Sequence, residues 1–499
     1  MFRKQAGWMF IAAALVSLPA AGADTFYVDA GTCPDEGDGT QGNPFCRIQR
    51  AIDLAADGDT ILVLPGSYRE NLDFLGKDIT VRSTDGPETT VIDAGFNSSA
   101  VIFHTGEERD AVLEGFTLTN GTGFSNGSVY LGGGISINNA SPTIRGNIII
   151  NNEAAFGGGI DTERGNPLIE NNVITGNLAM DQHLLLHISG DGGGISLFNS
   201  SAVIIGNRIY ANTAHHNGGG IWSDEAPNDP FTLVFRNNLI FGNQAVGRDG
   251  FGGLTGGLHI EGNPEVTISG CTITNNAGVF DVDGVMLSGE GRLAAAIERS
   301  IIYGNSANPG QGREIYLRRG TLDVRYCDVQ GGQSGVTNNN GTLNWGSGNV
   351  DTDPGFADPE ADDYHLSVCS PLVDAGDPAF TPLPGETDVD GDDRVVFAAV
   401  DIGADEVATA CGGDCTGSER ISATRCRQKN GVNKLVVKLT GGLPGDTFVV
   451  RLSGGERQSG TVRDTGKGKA KFRGAPSGAG DATATWGCGA TDTEGYDCP

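Results

Sequence analysis

The residues of this chain best suited to chemistry on a sugar stand two and four places behind the last glycine of three glycine runs. They are Asp161 and Glu163 behind Gly159, Trp222 and Asp224 behind Gly220, and His259 and Glu261 behind Gly257. If Ile160, Ile221 and Leu258 point into a core, strand alternation turns these six side chains outward. Stacked at the strand spacing of about 4.8 Å, Asp224 falls beside Glu261 and Trp222 beside His259. An exposed indole packs on a pyranose ring, while carboxylates accept hydroxyl bonds or hold calcium. The candidate catalytic set within this group is Asp224, Glu261 and His259. Cleavage by elimination would also require a base for a C5 proton and a cation or arginine for the enolate, roles open to His259 or Arg164. Against this stands the acidity of the whole chain, which puts carboxylates on every exposed strand. Ligand binding is therefore favoured over catalysis.

These positions have meaning only if the runs form strands in register. Gly-Gly-Gly-Ile occurs at 132–135, 157–160, 192–195 and 218–221, with weaker copies at Gly256-Gly257-Leu258 and Asp283-Gly284-Val285. A second phrase trails each copy at an offset of five: Asn147…Asn152, Asn172…Asn177, Asn207…Asn212, Asn238…Asn243, Cys271…Asn276 and Ser300…Asn305. The interval between copies runs from 25 residues (132 to 157) to 38 (218 to 256). Constant strands with elastic loops describe a solenoid. Apolar residues alternate in short runs such as Ile135-Ser136-Ile137, and Gly, Asn, Asp and Pro between them form turns. Asparagines at equivalent places can hydrogen-bond in ladders from coil to coil. The repeat is that of a parallel β-helix.

The order Ile48-Gln49-x-Ala51-Ile52, Gly58-Asp59-Thr60-Ile61, Pro65-Gly66-x-Tyr68, Lys77-x-Ile79-Thr80-Val81 resembles the N-terminal cap and first coils of secreted β-helix proteins, with a short helix over 48–56. Over roughly residues 25–405 the chain is similar to the right-handed parallel β-helix proteins of the pectin-lyase-like group. The resemblance implies a right-handed coil, as does the crossover rule. The pectinolytic hydrolases of this fold use closely set Asp residues, a His and Arg-x-Lys. Here Asp362-Asp363 and Asp392-Asp393 lie near the end of the β-helix and Arg427-Gln428-Lys429 lies in the tail, which argues against a polygalacturonase. The calcium and arginine motifs of pectate lyases are not recognisable. Residues 351–408 resemble the closing segment of bacterial secreted β-helix proteins, expected to cap the stack. Within it Asp388, Asp390 and Asp392 mimic the opening of a calcium loop. However, Asp393 stands where the turn glycine belongs and Ala399 where the terminal Glu belongs, so a solvated acidic turn is favoured. Calcium is the one ion these acids suggest, and no cofactor is required.

Arg3 and Lys4, the apolar run Trp8 to Leu18 and Ala21-Gly22-Ala23 form an export signal with cleavage expected before Asp24. No other stretch is long enough to cross a bilayer. The mature chain is therefore expected to be secreted, periplasmic or held at the cell surface. In an oxidising compartment Cys33 and Cys46 form a plausible disulfide. Cys271 and Cys327 should sit two coils apart, about 9.6 Å, as buried free thiols. The pairing of Cys369, Cys411, Cys415, Cys426, Cys488 and Cys498 stays open. Zinc is disfavoured because no histidine follows His365. The histidines His183, His187, His215 and His216 precede glycine runs and read as surface loops rather than metal ligands.

The chain of 499 residues has a net charge of −29, which conceals an asymmetry. From Cys411 onward there are 13 Lys+Arg and 9 Asp+Glu, a net of +4, whereas residues 24–410 carry 18 bases against 53 acids. Such a body repels nucleic acid, and the glycine runs lack the Gly-Lys-Ser/Thr of a nucleotide loop. Alternation at Leu435 to Leu439, Thr447 to Leu452 and Lys467 to Phe472 predicts a small β-sandwich. The expected architecture is thus all-β: signal 1–23, N-terminal cap and first coils 24–119, β-helix 120–350, closing segment 351–408 and sandwich 409–499. The favoured role is non-catalytic: binding an extracellular polysaccharide or cell-surface glycan, or serving as an adhesin-like surface protein. The alternative is a polysaccharide lyase or glycoside hydrolase, and the third class is a structural spacer.

Overall fold

The computed structural model describes residues 23–125, 127–181, 190–225, 231–247, 252–279, 282–306, 313–408, 416–429, 431–444, 446–463, 465–486 and 490–499. The export signal, His183, His187, Cys411, Cys415 and Cys488 lie outside them. Among the described residues no helix is long and apolar enough to cross a membrane.

Three long parallel sheets of twelve, ten and ten strands and a five-stranded ladder run along the stack. The strand behind each glycine run pairs in register with its counterpart in the next coil. Ile135–Asn138 lies beside Ile160–Glu163, followed by Ile195–Phe198, Ile221–Asp224, Leu258–Glu261, Val285–Ser288 and Ile315–Arg318. The helix Ile48–Leu54 buries Ile48, Ala51 and Ile52 in the same continuous core as Ile135, Ile160, Ile195, Ile221, Leu258 and Val285. It stops short of the expected residue 56.

Glycine is required in the runs because neighbouring coils approach too closely for a side chain. A Cβ on Gly193 would meet Gly219 O at 2.4 Å and Thr213 O at 2.6 Å. The asparagines form two buried ladders. In one, the Asn147 side chain donates to Asn172, Asn172 to Asn207 and Asn207 to Asn238, at 3.0–3.1 Å. In the other, Asn152, Asn177, Asn212, Asn243, Asn276 and Asn305 are joined likewise. Glu314 ends this second ladder, accepting from the Asn305 side chain at 2.7 Å. Each amide satisfies backbone groups that the turns leave unpaired.

Cys33 and Cys46 are disulfide-bonded as expected, and Cys271 and Cys327 are buried free thiols, as the register requires. The closing segment lies elsewhere than expected. Instead of covering the end of the stack, it runs along one lateral sheet. Tyr364 packs on Phe241 at 5.0 Å, Arg299 sits 4.4 Å over the Phe380 ring, and Ala404 N donates to Thr272 Oγ1 at 3.0 Å. The tail forms a three-stranded and a four-stranded antiparallel sheet around Leu435, Val437, Phe448, Phe472 and Trp486, with Cys426 bonded to Cys498. That is the expected sandwich.

Candidate active-site cleft

The strands behind the glycine runs end in a column of side chains, one per coil: Asn138, Glu163, Phe198, Asp224, Glu261, Ser288 and Arg318. Over its last four coils a cleft of about 150 Å³ is lined by Asp224, Glu225, Glu261, Ser288, Glu290 and Arg318, among others. The predicted neighbours Asp224 and Glu261 do meet here. Trp222 and His259 are likewise paired across adjacent strands.

The outward column two places behind each run is not exposed, contrary to expectation. Ser136, Asp161, Ser196, Trp222, His259 and Met286 are all buried, because the turns that enter each coil fold over them. Trp222 is 8% exposed and its ring packs against Phe156 at 5.9 Å, so it offers no stacking platform for a sugar. Asp161 is equally covered, and burial pushes its carboxyl up to about 8. Glu163 remains at the surface, where it accepts from Asn138 at 2.9 Å and pairs with Arg164. The Phe198 coil separates it from Asp224. The ligand-binding set Asp161, Glu163, Trp222, Asp224, His259 and Glu261 thus contracts to Asp224 and Glu261 at the cleft, with His259 behind them.

His259 has a side chain with no exposure. Its Nε2 lies 2.9 Å from Glu261 Oε1, and its Nδ1 lies 3.2 Å from Thr255 Oγ1. It cannot reach the cleft, and instead fixes the Glu261 carboxylate that lines it. That bond is the main reason Glu261 is held below the usual carboxylate range, against the effect of burial, with the charges of His216 and Arg318 assisting. Burial acts the other way on Asp224 and lifts it to about 6. The Glu225 backbone N–H partly offsets this, and the negative charge of Glu261 adds to it. Glu225 is anchored by Asn263, whose backbone and side-chain nitrogens donate to it at 2.7 and 3.0 Å. His216, held 2.8 Å from Asp191, is a fixed half-buried side chain rather than a loop ornament.

Ser288 was expected in the same outward column as Asp224 and Glu261, whereas Glu290, Glu225 and Arg318 were not anticipated. The signal for Arg318 was present, since it follows Ile315 by the same three places that separate Asp224 from Ile221 and Ser288 from Val285. In the closing segment, Asp388 and Asp390 gather with Asp405, and Asp392 is not a member of the group. Asp388 accepts backbone N–H bonds from Asp390, Asp392 and Glu406, while Asp390 pairs with His365 and Arg208. Asp388 thus anchors the turn, and the acids that the fold brings together are Asp388, Asp390 and Asp405 rather than the expected Asp388, Asp390 and Asp392.

Two overlapping stretches, residues 95–279 and 186–353, match the family model described as the right handed beta helix region. Among solved structures, the chain is similar to pectate lyase Pel9A at 14% identity and a TM-score of 0.43, covering 77% of this chain and 97% of that one. The carrot pectin methylesterase aligns at 14% identity and 0.34, over 58% of this chain and 85% of that one. The complex of XylC with xylose aligns at 11% and 0.39, over 90% and 100%. No curated protein sequence matches the chain. With the repeat register, the parallel sheets and a family match spanning residues 95–353 in agreement, this chain belongs to the right-handed β-helix family.

Proposed function

We propose that the chain cleaves an extracellular polysaccharide at the Asp224–Glu261 cleft, by acid–base hydrolysis of a glycosidic bond. The observation that carries this reading is a pair of adjacent carboxylates in one cleft, only one of which has a buried histidine bonded behind it. Two such groups with environments that push them apart take opposite roles. Asp224, protonated up to about pH 6, gives its proton to the glycosidic oxygen as the bond to the anomeric carbon breaks. Glu261, ionised, accepts a proton from the water that adds to that carbon, or attacks the carbon itself before water releases it. His259 is a positioning residue, and Arg318 at the cleft edge supplies a cation for a hydroxyl or carboxylate of the sugar.

Burial of Trp222 removes the stacking platform on which the binding-only reading chiefly depended. The surface column still provides a polar track along the helix axis for a linear chain. The export signal and two disulfides support action outside the cytoplasm. The test is incubation of the purified protein with neutral and acidic polysaccharides, following reducing ends and unsaturated products. New reducing ends without unsaturation support hydrolysis. Unsaturated products would replace it with elimination, and retention without any product would return the protein to the binding class.

A further inference from the structure

The three-stranded sheet of the tail, formed by Arg420–Lys429, Val432–Thr440 and Lys467–Arg473, has an apolar face and a basic one. Leu435, Val437, Leu439, Ala470 and Phe472 enter the sandwich core. On the other face Lys434 stands opposite Arg427 on one side and Arg473 on the other. Two residues on, Val436 is flanked by Arg425 and Lys471, and after it Lys438 lies opposite Lys469. All these cations are exposed. The three strands contain no Asp or Glu, and these side chains form no ion pair with any carboxylate of the described residues. Same-face neighbours are about 4.8 Å apart across strands and about 6.8 Å along them. A net charge of only +4 over the tail is therefore concentrated into rows of unpaired cations on one flat surface.

We propose that this outward face is a docking site for a linear anionic polysaccharide, whose carboxylate or sulfate groups sit on the rows of lysine and arginine. Charge complementarity selects a polyanion. Leaving the lysines unpaired costs folding stability through self-repulsion, and a bound polyanion relieves it. Two further features of the face choose among polyanions. It carries no exposed aromatic side chain, so it lacks the platforms on which single-stranded bases stack. Its apolar members are three small side chains, Ala423, Val432 and Val436, without the aromatic and leucine residues that enter a bilayer. The β-helix body, with 53 acids to 18 bases over residues 24–410, repels the same polymer. Docking is thus confined to the tail, which would hold the protein on an anionic glycan while the cleft remains free. The inference does not rest on the catalytic reading of that cleft.

The experiment uses the full chain and polygalacturonate as the anionic probe, with dextran as the neutral one, duplex DNA, and vesicles containing phosphatidylglycerol. The expected result is binding to polygalacturonate but not dextran, weakened at least about tenfold between 50 and 200 mM salt through screening. The triple variant Lys434→Gln/Lys438→Gln/Lys471→Gln should lose most of this binding while keeping the wild-type Tm. Asp224→Asn should bind unchanged, which separates failure of this proposal from failure of the cleft assignment. Undiminished binding by the triple variant, or no binding at 50 mM salt, overturns the proposal. So does binding to DNA or vesicles that exceeds binding to polygalacturonate. Should the triple variant fold poorly, the single variants Lys438→Gln and Lys471→Gln, with surface-exposed side chains, must each show part of the loss.

Discussion

His259 Nε2 lies 2.9 Å from Glu261 Oε1, and the imidazole has no exposed surface while the carboxylate opens into the cleft. A buried donor behind an accessible acid controls when that acid is charged. Replacing His259 with Gln should therefore raise the Glu261 titration toward the ordinary range. Activity would then be lost at a higher pH on the acidic side, and the basic side should also move up, because the His259 charge lowers Asp224. The pH profile of kcat for wild type and variant checks this.

Asp224 sets the other limb. Its proton is present below about 6, so turnover should decline as pH rises through that value. Because Glu261 must stay ionised, the optimum falls between the two carboxylates, in mildly acidic solution. Initial rates from pH 3 to 9 on any accepted polysaccharide test this.

The asparagine ladder carries stability rather than activity. Asn207 Oδ1 accepts from both the backbone and the side-chain nitrogen of Asn172, and Asn207 Nδ2 donates to Ile169 O, Ile205 O and Asn238 Oδ1. Asn207→Ala strands several buried polar groups, each costing about 1–3 kcal/mol. A marked fall in urea midpoint is expected, whereas Asn138→Ala at the surface should change it little.

Buried Asp161 makes stability depend on pH. An unfolded carboxyl titrates near 3.8, but the folded one keeps its proton to about 8. Between these values the folded state binds more protons, so stability falls as pH rises. Asp161→Asn removes this term. Its Tm should match wild type near pH 4 and exceed it increasingly toward pH 9.

Glycine in the runs is a steric requirement. Gly193→Ala places a methyl 2.4 Å from Gly219 O and should sharply reduce the soluble folded yield. Gly42→Ala, with no atom within 4 Å of the added carbon, should be neutral.

Much of this architecture was legible because the repeat is local and periodic. Glycine runs marked the coil junctions, the five-residue phrases marked the ladders, and together they brought Asp224 beside Glu261. What failed was burial. Alternation correctly turned Trp222, Asp161 and His259 away from the core, but Phe156 and Thr255, which cover two of them, come from the position just before the glycine run, which holds a different residue type in each coil and so gave no burial signal. The closing segment was misplaced for a related reason, since its contacts with Phe241 and Thr272 span more than a hundred residues. The basic tail face was visible in Lys467-Gly-Lys-Ala-Lys-Phe-Arg, but its extent depended on which strands flank that run.

The central claim is that Asp224 and Glu261 act as a chemical pair. Its most direct test is the rate of reducing-end formation by wild type, Asp224→Asn and Glu261→Gln on one accepted polysaccharide, with Tm measured in parallel. The account predicts that each variant keeps its Tm and loses about 10²–10⁴-fold in kcat. Turnover that survives both substitutions would contradict it.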